Sequence, residues 1–272
     1  MNISWCIACV ATKSWAKKIF PNDNNAYEKL WNTIFDICLI NTPNPSLSWD
    51  IEMKNNAKLC KKLNDLKIKK LHYKNSLGTD FNVEIGEDTI FLGSNEKLRG
   101  EKKMIVNLPS FEIFTSPLKY SANGIVYSSR PLVYNGNIID KFYIKFDKGR
   151  VVDYSAEVGY DVLDNIINTD EGAHYLGEVA LVEYKSKISQ TGICFYHTLY
   201  DENSSCHLAL GASFPDAIKG FNYENEEEYE QKQLNNSITH VDFMIGTKDL
   251  NITALTYDNK EVKIFENGNF VI

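Results

Sequence analysis

An α+β fold is predicted for this chain, with a partial N-terminal α/β layer followed by a largely β domain carrying a few helices. Three observations predict it. One apolar strand is followed by helical periodicity through the first quarter. From Lys70 onward, short β-prone runs alternate with turn dipeptides. And 43% hydrophobic with 12% aromatic residues over 272 positions is ample for a packed core. The change in character divides the chain into 1–70 and 71–272.

In order, Ile3 to Val10 reads as a buried strand. Met1 to Ala11 resembles a secretory signal in its apolar core, but no positive side chain precedes that core, and Thr12-Lys13-Ser14-Trp15-Ala16 continues as a turn into a helix. Trp15 to Phe20 and Ala26 to Leu39 carry apolar residues at helical spacing, the second with Leu30, Ile34, Ile37 and Cys38, and Asn41 to Pro45 supplies turn chemistry. Ser48 is expected to cap a third helix running to about Leu66, with Ile51, Leu59 and Leu63 inward. A strand followed by helices suggests part of an α/β layer.

Strands are then predicted at Leu71–Tyr73, Phe81–Ile85, Thr89–Gly93, Gly124–Ser128, Leu132–Tyr134, Ile138–Phe146 and Val151–Tyr154, separated by turns such as Gly86-Glu87-Asp88 and Asp147-Lys148-Gly149. An amphipathic helix, Ala156 to Ile167, interrupts the series. Ile252 to Ile272 reads as closing hairpins with turns at Asp258-Asn259 and Asn267-Gly268. The acidic cluster of Glu224, Glu226, Glu227, Glu228 and Glu230 reads as a solvated loop or helix start.

Charge excludes some partners. A net charge of -7 and a pI near 5.3 argue against nucleic acid or an anionic membrane, both of which demand a clustered basic surface, and the densest basic run, Lys67 to Lys70, is short. No stretch approaches the roughly 18 apolar residues of a membrane span. Cys6, Cys9, Cys38, Cys60, Cys194 and Cys206 lack disulfide-framework spacing, so they read as reduced thiols of a cytoplasmic protein. Cys6-x-x-Cys9 has no second pair to make a zinc ribbon, and both are expected in the core.

Four polar clusters sit inside or beside apolar segments, where an ionised carboxylate needs a partner. Glu112 stands in Asn107-Leu108-Pro109-Ser110-Phe111-Glu112-Ile113-Phe114-Thr115. Glu178 opens Leu176-Gly177-Glu178-Val179-Ala180-Leu181-Val182, otherwise a fully buried strand. Tyr200-Asp201-Glu202-Asn203-Ser204-Ser205-Cys206-His207-Leu208-Ala209-Leu210-Gly211 holds Glu202 and His207. In Ser237 to Gly246, His240 and Asp242 stand two apart on a predicted strand and so project from one face, with Val241, Phe243 and Ile245 on the other. Singly, each cluster fits a salt bridge or a backbone-bonded carboxylate as well as a metal ligand. Together Glu112, Glu178, Asp242, His207 and His240 are an inventory for two divalent cations sharing a bridging ligand.

In order and spacing these blocks resemble the thermophilic metallo-aminopeptidase family. The motifs are Asn-Leu-Pro-x-x-Glu-x-Phe-Thr-x-Pro around Glu112, Gly177 to Val182, Thr198 to Asn203 leading to Cys206 to Gly211, and His240-Val241-Asp242-Phe243-Met244; the likeness runs from the first strand, with Trp15-Ala16 and Phe20-Pro21, to the last hairpin. The resemblance implies that Glu112, Glu178, His207, His240 and Asp242 ligate two divalent metals, for which zinc, cobalt and manganese all suit mixed imidazole and carboxylate donors. It implies a peptide substrate, a homodimer with enclosed active sites, and a metallopeptidase catalytic domain at 71–272 behind a remnant of the N-terminal α/β region. Glu178 is the first candidate for carrying a proton from water to the leaving amine, and Glu202 is a further ligand or proton-transfer group.

Three departures accompany the resemblance. Phe111 replaces the glycine before the first metal glutamate and is expected to narrow the substrate pocket. Phe214 stands where the family tends to place a tyrosine, seven residues after His207, so an oxyanion donor is absent. The chain also begins partway through the N-terminal region, so the first strand is expected to present an open edge that favours self-association. A catalytically silent subunit that keeps the fold is the rival reading.

Overall fold

A computed structural model describes residues 5–93, 95–97, 103–225 and 227–272. Ile3 and Ser4 of the predicted first strand and Glu226 of the acidic cluster lie outside them.

The first strand, β1 (Ile7–Ala8), is not buried as expected: Trp5, Ile7 and Val10 are 48%, 50% and 65% exposed. Among the described residues its one strand partner is the parallel β7 described below, so no second strand covers it. Cys6 is accordingly exposed and Cys9 half-buried, against the expectation that both sit in the core. All six cysteines are free thiols.

Three helices follow. Thr12 caps α1 (Lys13–Ile19), its hydroxyl accepting the Trp15 N–H at 3.2 Å. The second, α2 (Ala26–Ile37), buries the single stripe Ala26, Leu30, Ile34 and Ile37. The third, α3 (Pro45–Asp65), starts earlier than predicted: Asn44 is the cap, accepting from Leu47 N–H at 3.1 Å, and Pro45 opens the helix, where its missing N–H costs nothing. Ser48 instead lies within the first turn and donates to Asn44 O at 3.1 Å. Trp49, Cys60 and Leu63 form the buried stripe, and Ile51, roughly 200° round the helix from Trp49, is 49% exposed rather than inward.

The chain then becomes β: β2 (Ile68–Lys74), β3 (Asp80–Glu84), β4 (Leu92–Gly93), β5 (Asn95–Lys97), β6 (Lys103–Ile105), β7 (Asn107–Leu108), β8 (Ile113–Thr115), β9 (Asn123–Tyr127), β10 (Leu132–Tyr134), β11 (Asn137–Asp147) and β12 (Arg150–Val158). Ala156 to Val158, read from sequence as the start of a helix, extend β12 instead. Gly159, with φ +75°, ends the strand, and α4 begins at Tyr160 and runs to Ile167. The remaining strands are β13 (Leu176–Leu181), β14 (His207–Gly211), β15 (His240–Met244), β16 (Asn251–Thr256), β17 (Glu261–Glu266) and β18 (Asn269–Phe270), with the closing hairpins as predicted.

Among the described residues, two sheets dominate. A nine-stranded sheet runs β10-β11-β9-β3-β2-β16-β17-β18 with β12 beside β11, and a five-stranded sheet runs β15-β14-β13-β8-β4. Their facing sides share one apolar core: Leu71, Tyr73, Phe81, Val83 and Ile252 from the large sheet, and Val179, Leu181, Leu208, Leu210, Val241 and Phe243 from the small one. A second cluster joins Ala16, Leu30, Ile34 and Ile37 of α1 and α2 to Ile188, Phe195 and Tyr200.

A polar clasp ties the β15–β16 connection to the β2–β3 turn. Asp249 accepts from Thr247 Oγ1 at 2.6 Å and Ser76 N at 2.9 Å, and these bonds pull its carboxyl down to about 2. A depressed carboxyl stabilises the fold above its unfolded value and loses that contribution as pH falls through the folded one, here from about pH 4 to about 2. Allowing for solvent screening, Asp249→Asn is expected to cost about 1 kcal/mol at pH 7 and less at pH 3. Urea midpoints at the two pH values check this, and an equal loss at both would remove the charge from the explanation.

Candidate metal centre

The five-stranded sheet turns its second face to a polar cavity, and strand parity decides what faces there. On β14 Leu208 and Leu210 go to the core while His207 and Ala209 face the cavity side; on β15 Val241 and Phe243 go to the core while His240 and Asp242 turn the other way. On β13 a register irregularity between Leu176 and Glu178 keeps Leu176 and Val179 in the core and puts Glu178 in the cavity.

Register then brings distant residues together. Glu178 pairs with Ala209, which pairs with Asp242, so a methyl lies between two carboxylates. Glu112 precedes β8, the strand on the other side of β13, and Glu202 lies in the short 3-10 turn before β14. Glu112, Glu178, Glu202, His207, His240 and Asp242 all line this one cavity of about 720 Å³.

The contacts are specific. His240 Nε2 lies 3.0 Å from Glu178 Oε2 and 3.3 Å from Asp242 Oδ1, and His207 Nε2 lies 3.3 Å from Glu112 Oε2. Each imidazole is anchored from behind: His240 Nδ1 donates to Ala212 O at 2.8 Å, and His207 Nδ1 to Ser205 O at 3.2 Å. Because a carbonyl only accepts, Nδ1 carries the hydrogen in both rings, and Nε2 is left for the cavity. Gly177 makes room for the first anchor, since a Cβ there would come within 2.1 Å of Ala212 O.

The carboxylates are held too. Ser110 Oγ donates to Glu112 Oε1 at 3.1 Å, and Asn203 Nδ2 donates to Glu202 Oε1 at 3.3 Å. Buried Asn203 also accepts from Phe111 N at 2.6 Å, clipping the segment before Glu112 to the turn that carries Glu202.

Charge is dense here. Burial pushes Glu178 up to about 7, with Asp242 adding to the rise and His240 opposing it; burial and the charges of Asp242 and Glu112 hold Glu202 well above the carboxylate range. Burial disfavours the charged forms of both imidazoles, yet bonds to Glu112 raise His207 to about 10, and bonds to Asp242 and Glu178 raise His240 to about 11. Asp242 is lowered despite burial because His240 stands beside it. Protons on the two rings thus balance part of the carboxylate charge in the cation-free protein.

The donor set fits divalent cations. Two groups of potential ligand atoms, Glu112, Glu178 and His207, and Glu178, His240 and Asp242, each lie within 4.8 Å of one another, and Glu178 belongs to both. Mixed imidazole and carboxylate oxygen donors suit zinc, cobalt or manganese. The carbonyls that hold each Nδ1–H and the Ser110 hydroxyl on Glu112 orient these side chains as a cation site requires.

The two phenylalanines singled out from the sequence fall in different places. Phe214 lines the cavity, its ring 4.9 Å from that of His240 and 5.1 Å from that of Phe114. Phe111 does not narrow this cavity as expected. As the neighbour of Glu112 it points the other way, stacking on Trp49 of α3 with centroids 5.6 Å apart and lining a separate cavity of about 580 Å³. The apolar wall of Trp5, Ile7, Leu92, Val106 and Phe114 received no role from the sequence reading, nor did Asn107 and Asp216, which also line the cavity, or Asn203. Asn107, Phe114 and Asn203 stood within the motifs already singled out; Leu92, Val106 and Asp216 carried no local signal.

The thermophilic metalloprotease (M29) family matches residues 1–270. Aminopeptidase AmpS of Bacillus subtilis is 42% identical over 271 residues, 99% of this chain and 66% of that protein. Aminopeptidase 2 of Geobacillus stearothermophilus is 41% identical over 268 residues, 98% of this chain and 65% of that protein. The solved structure of wild-type AmpT from Thermus thermophilus superposes with a TM-score of 0.90 at 32% identity, covering 98% of this chain and 65% of that one. The chain thus spans just under two thirds of the length of these relatives.

Proposed function

Because this chain belongs to the thermophilic metalloprotease (M29) family, we propose that it is an aminopeptidase that releases N-terminal residues from peptides with two divalent cations. The observation that carries this reading is the pair of donor sets meeting at Glu178 in one cavity. Glu112 and His207 would hold one cation, His240 and Asp242 the other, and Glu178 both. When bound, the cations acidify a water, polarise the scissile carbonyl and anchor the substrate's free amine.

The protein's own groups do the rest. Glu178 is the first candidate to take a proton from the attacking water, on an oxygen that its ligation leaves free, and to deliver it to the leaving amine, and Glu202, 8% exposed in the cavity lining, is a further ligand or proton-transfer group. Ala212 O and Ser205 O keep the two imidazoles aimed at the cavity. The names of the relatives, all aminopeptidases, support the substrate class. Zinc, cobalt or manganese as the metal, a homodimer, a cytoplasmic setting, and the division into an N-terminal α/β region at 1–70 and a catalytic domain at 71–272 belong to the same proposal.

A second reading, a silent subunit that keeps the cations, rests on Phe214, which sets a ring without a hydroxyl against His240. Turnover of an aminoacyl 4-nitroanilide by the purified chain with added zinc, cobalt or manganese separates the two. Under the enzyme reading the chain is active, and Phe214→Tyr raises kcat by up to about two orders of magnitude by restoring an oxyanion donor. No turnover by the chain with any metal, with Phe214→Tyr restoring it, would defeat the enzyme reading in favour of the silent subunit.

A further inference from the structure

Two polar groups that line the cavity, Asn107 and Asp216, have no role above, and Asp216 already accepts from the Tyr223 hydroxyl. Asn107, on β7, lines the cavity, and among the described residues its side-chain Oδ1 is enclosed without a hydrogen-bond partner. A buried acceptor left unpaired is costly, and turning the carboxamide so that Oδ1 meets a donor in the cavity relieves that cost. Nothing among the described residues holds Oδ1 in place through a hydrogen bond, and rotation about χ2 is soft in asparagine, so the carboxamide can turn to a ligand.

The chemistry of the rest of the cavity says what that ligand offers. Glu112, Glu178, Glu202 and Asp242 only accept when ionised, and the Nε2 atoms of both histidines face these carboxylates. A neutral group that both donates and accepts is supplied by Asn107. In an extended peptide the N–H and C=O of one residue project to the same side of the chain, as they do along a strand edge, and a carboxamide matches that pair with its oxygen and its NH₂.

We propose that Asn107 is a substrate-positioning residue that pairs with the backbone of the residue just after the scissile bond. Oδ1 accepts that residue's N–H and Nδ2 donates to its C=O. Asn107 thereby selects peptides over substrates that end at the leaving nitrogen. This deepens the aminopeptidase reading and rests on it. β1 supports the placement: Ile7, paired with Asn107 across the parallel ladder, lines the same cavity, so the peptide would run alongside the two short strands.

The test compares Leu-Gly-Gly, which has the carbonyl Asn107 would bind, with leucine 4-nitroanilide, which lacks it. In Asn107→Ala and in the isosteric Asn107→Leu, kcat/KM for the tripeptide is expected to fall about tenfold further than for the anilide, which keeps only the N–H that Oδ1 would accept, with the loss mainly in KM and metal content unchanged. Asn107→Leu is also expected to melt no lower than wild type, because an unpaired buried acceptor has been removed. A residue with a purely structural role would lower both substrates together, and that outcome, or an unchanged tripeptide, overturns the proposal. Calorimetry with the tripeptide analogue whose first peptide carbonyl is a methylene keeps the inference separate from the catalytic reading. If the metal-loaded wild type turns over neither substrate, the aminopeptidase reading fails, and Asn107 is judged by whether each variant binds this analogue about tenfold more weakly or equally well.

Discussion

Glu178→Gln is expected to reduce peptide hydrolysis on the order of 10³-fold or more and to lower bound metal from two equivalents to one or none. The size follows from position. Glu178 belongs to both donor sets, contacts His240 Nε2 at 3.0 Å, and is the candidate proton carrier, so one substitution removes functions that act as a unit. Glutamine keeps the shape and one acceptor oxygen but neither the charge nor the basicity. In the cation-free protein the same change should leave stability unaltered or improved, since burial raises Glu178 to about 7 with the charge of Asp242 adding to the rise. Elemental analysis beside thermal melts reads both effects. A variant that keeps two metals and full turnover would remove Glu178 from the bridging role.

The other face of the same sheet gives the largest expected effect on stability. Phe243 is 1% exposed, pairs with Leu208 across β14 and β15, and sits 5.9 Å from the ring of Phe142 in the opposing sheet. Phe243→Ala should cost about 3 to 5 kcal/mol, the transfer of a buried aromatic plus the cavity it leaves. The site would suffer as well, because Phe243 adjoins Asp242 and sets the seat of β15. Urea unfolding of the cation-free protein measures the loss. A cost below about 1 kcal/mol would mean that the two sheets do not share this core as described.

Local pattern was enough for part of the site. His240 and Asp242 were legible because two-residue periodicity alone places them on one face, with Val241 and Phe243 behind. The turn at Asn267-Gly268 was legible because both residue types accept positive φ, and the stripe of α2 because its apolar residues recur at helical spacing. Asn44-Pro45 is also a readable helix start, Asn as cap and Pro at the first position, whereas Ile51 is exposed because the buried stripe runs through Trp49, Cys60 and Leu63.

Other features depended on what comes to lie beside a residue. The apolar β1 looked like a core strand, yet its exposure depends on neighbours, and among the described residues it has one. Phe111 looked like bulk at the site because it is adjacent to Glu112 in sequence, whereas alternation along an extended chain sends adjacent side chains to opposite sides and lodges it against Trp49.

By itself, then, the sequence determined the identity of the candidate ligands and the faces they occupy, since residue chemistry and strand parity are local. That Glu112, Glu178, His207, His240 and Asp242 converge on one cavity, with Glu178 shared, was decided by the register of β8, β13, β14 and β15. Register depends on packing Val179, Leu208 and Phe243 against a second sheet contributed by distant parts of the chain, and such long-range burial leaves no mark in any short window of residues.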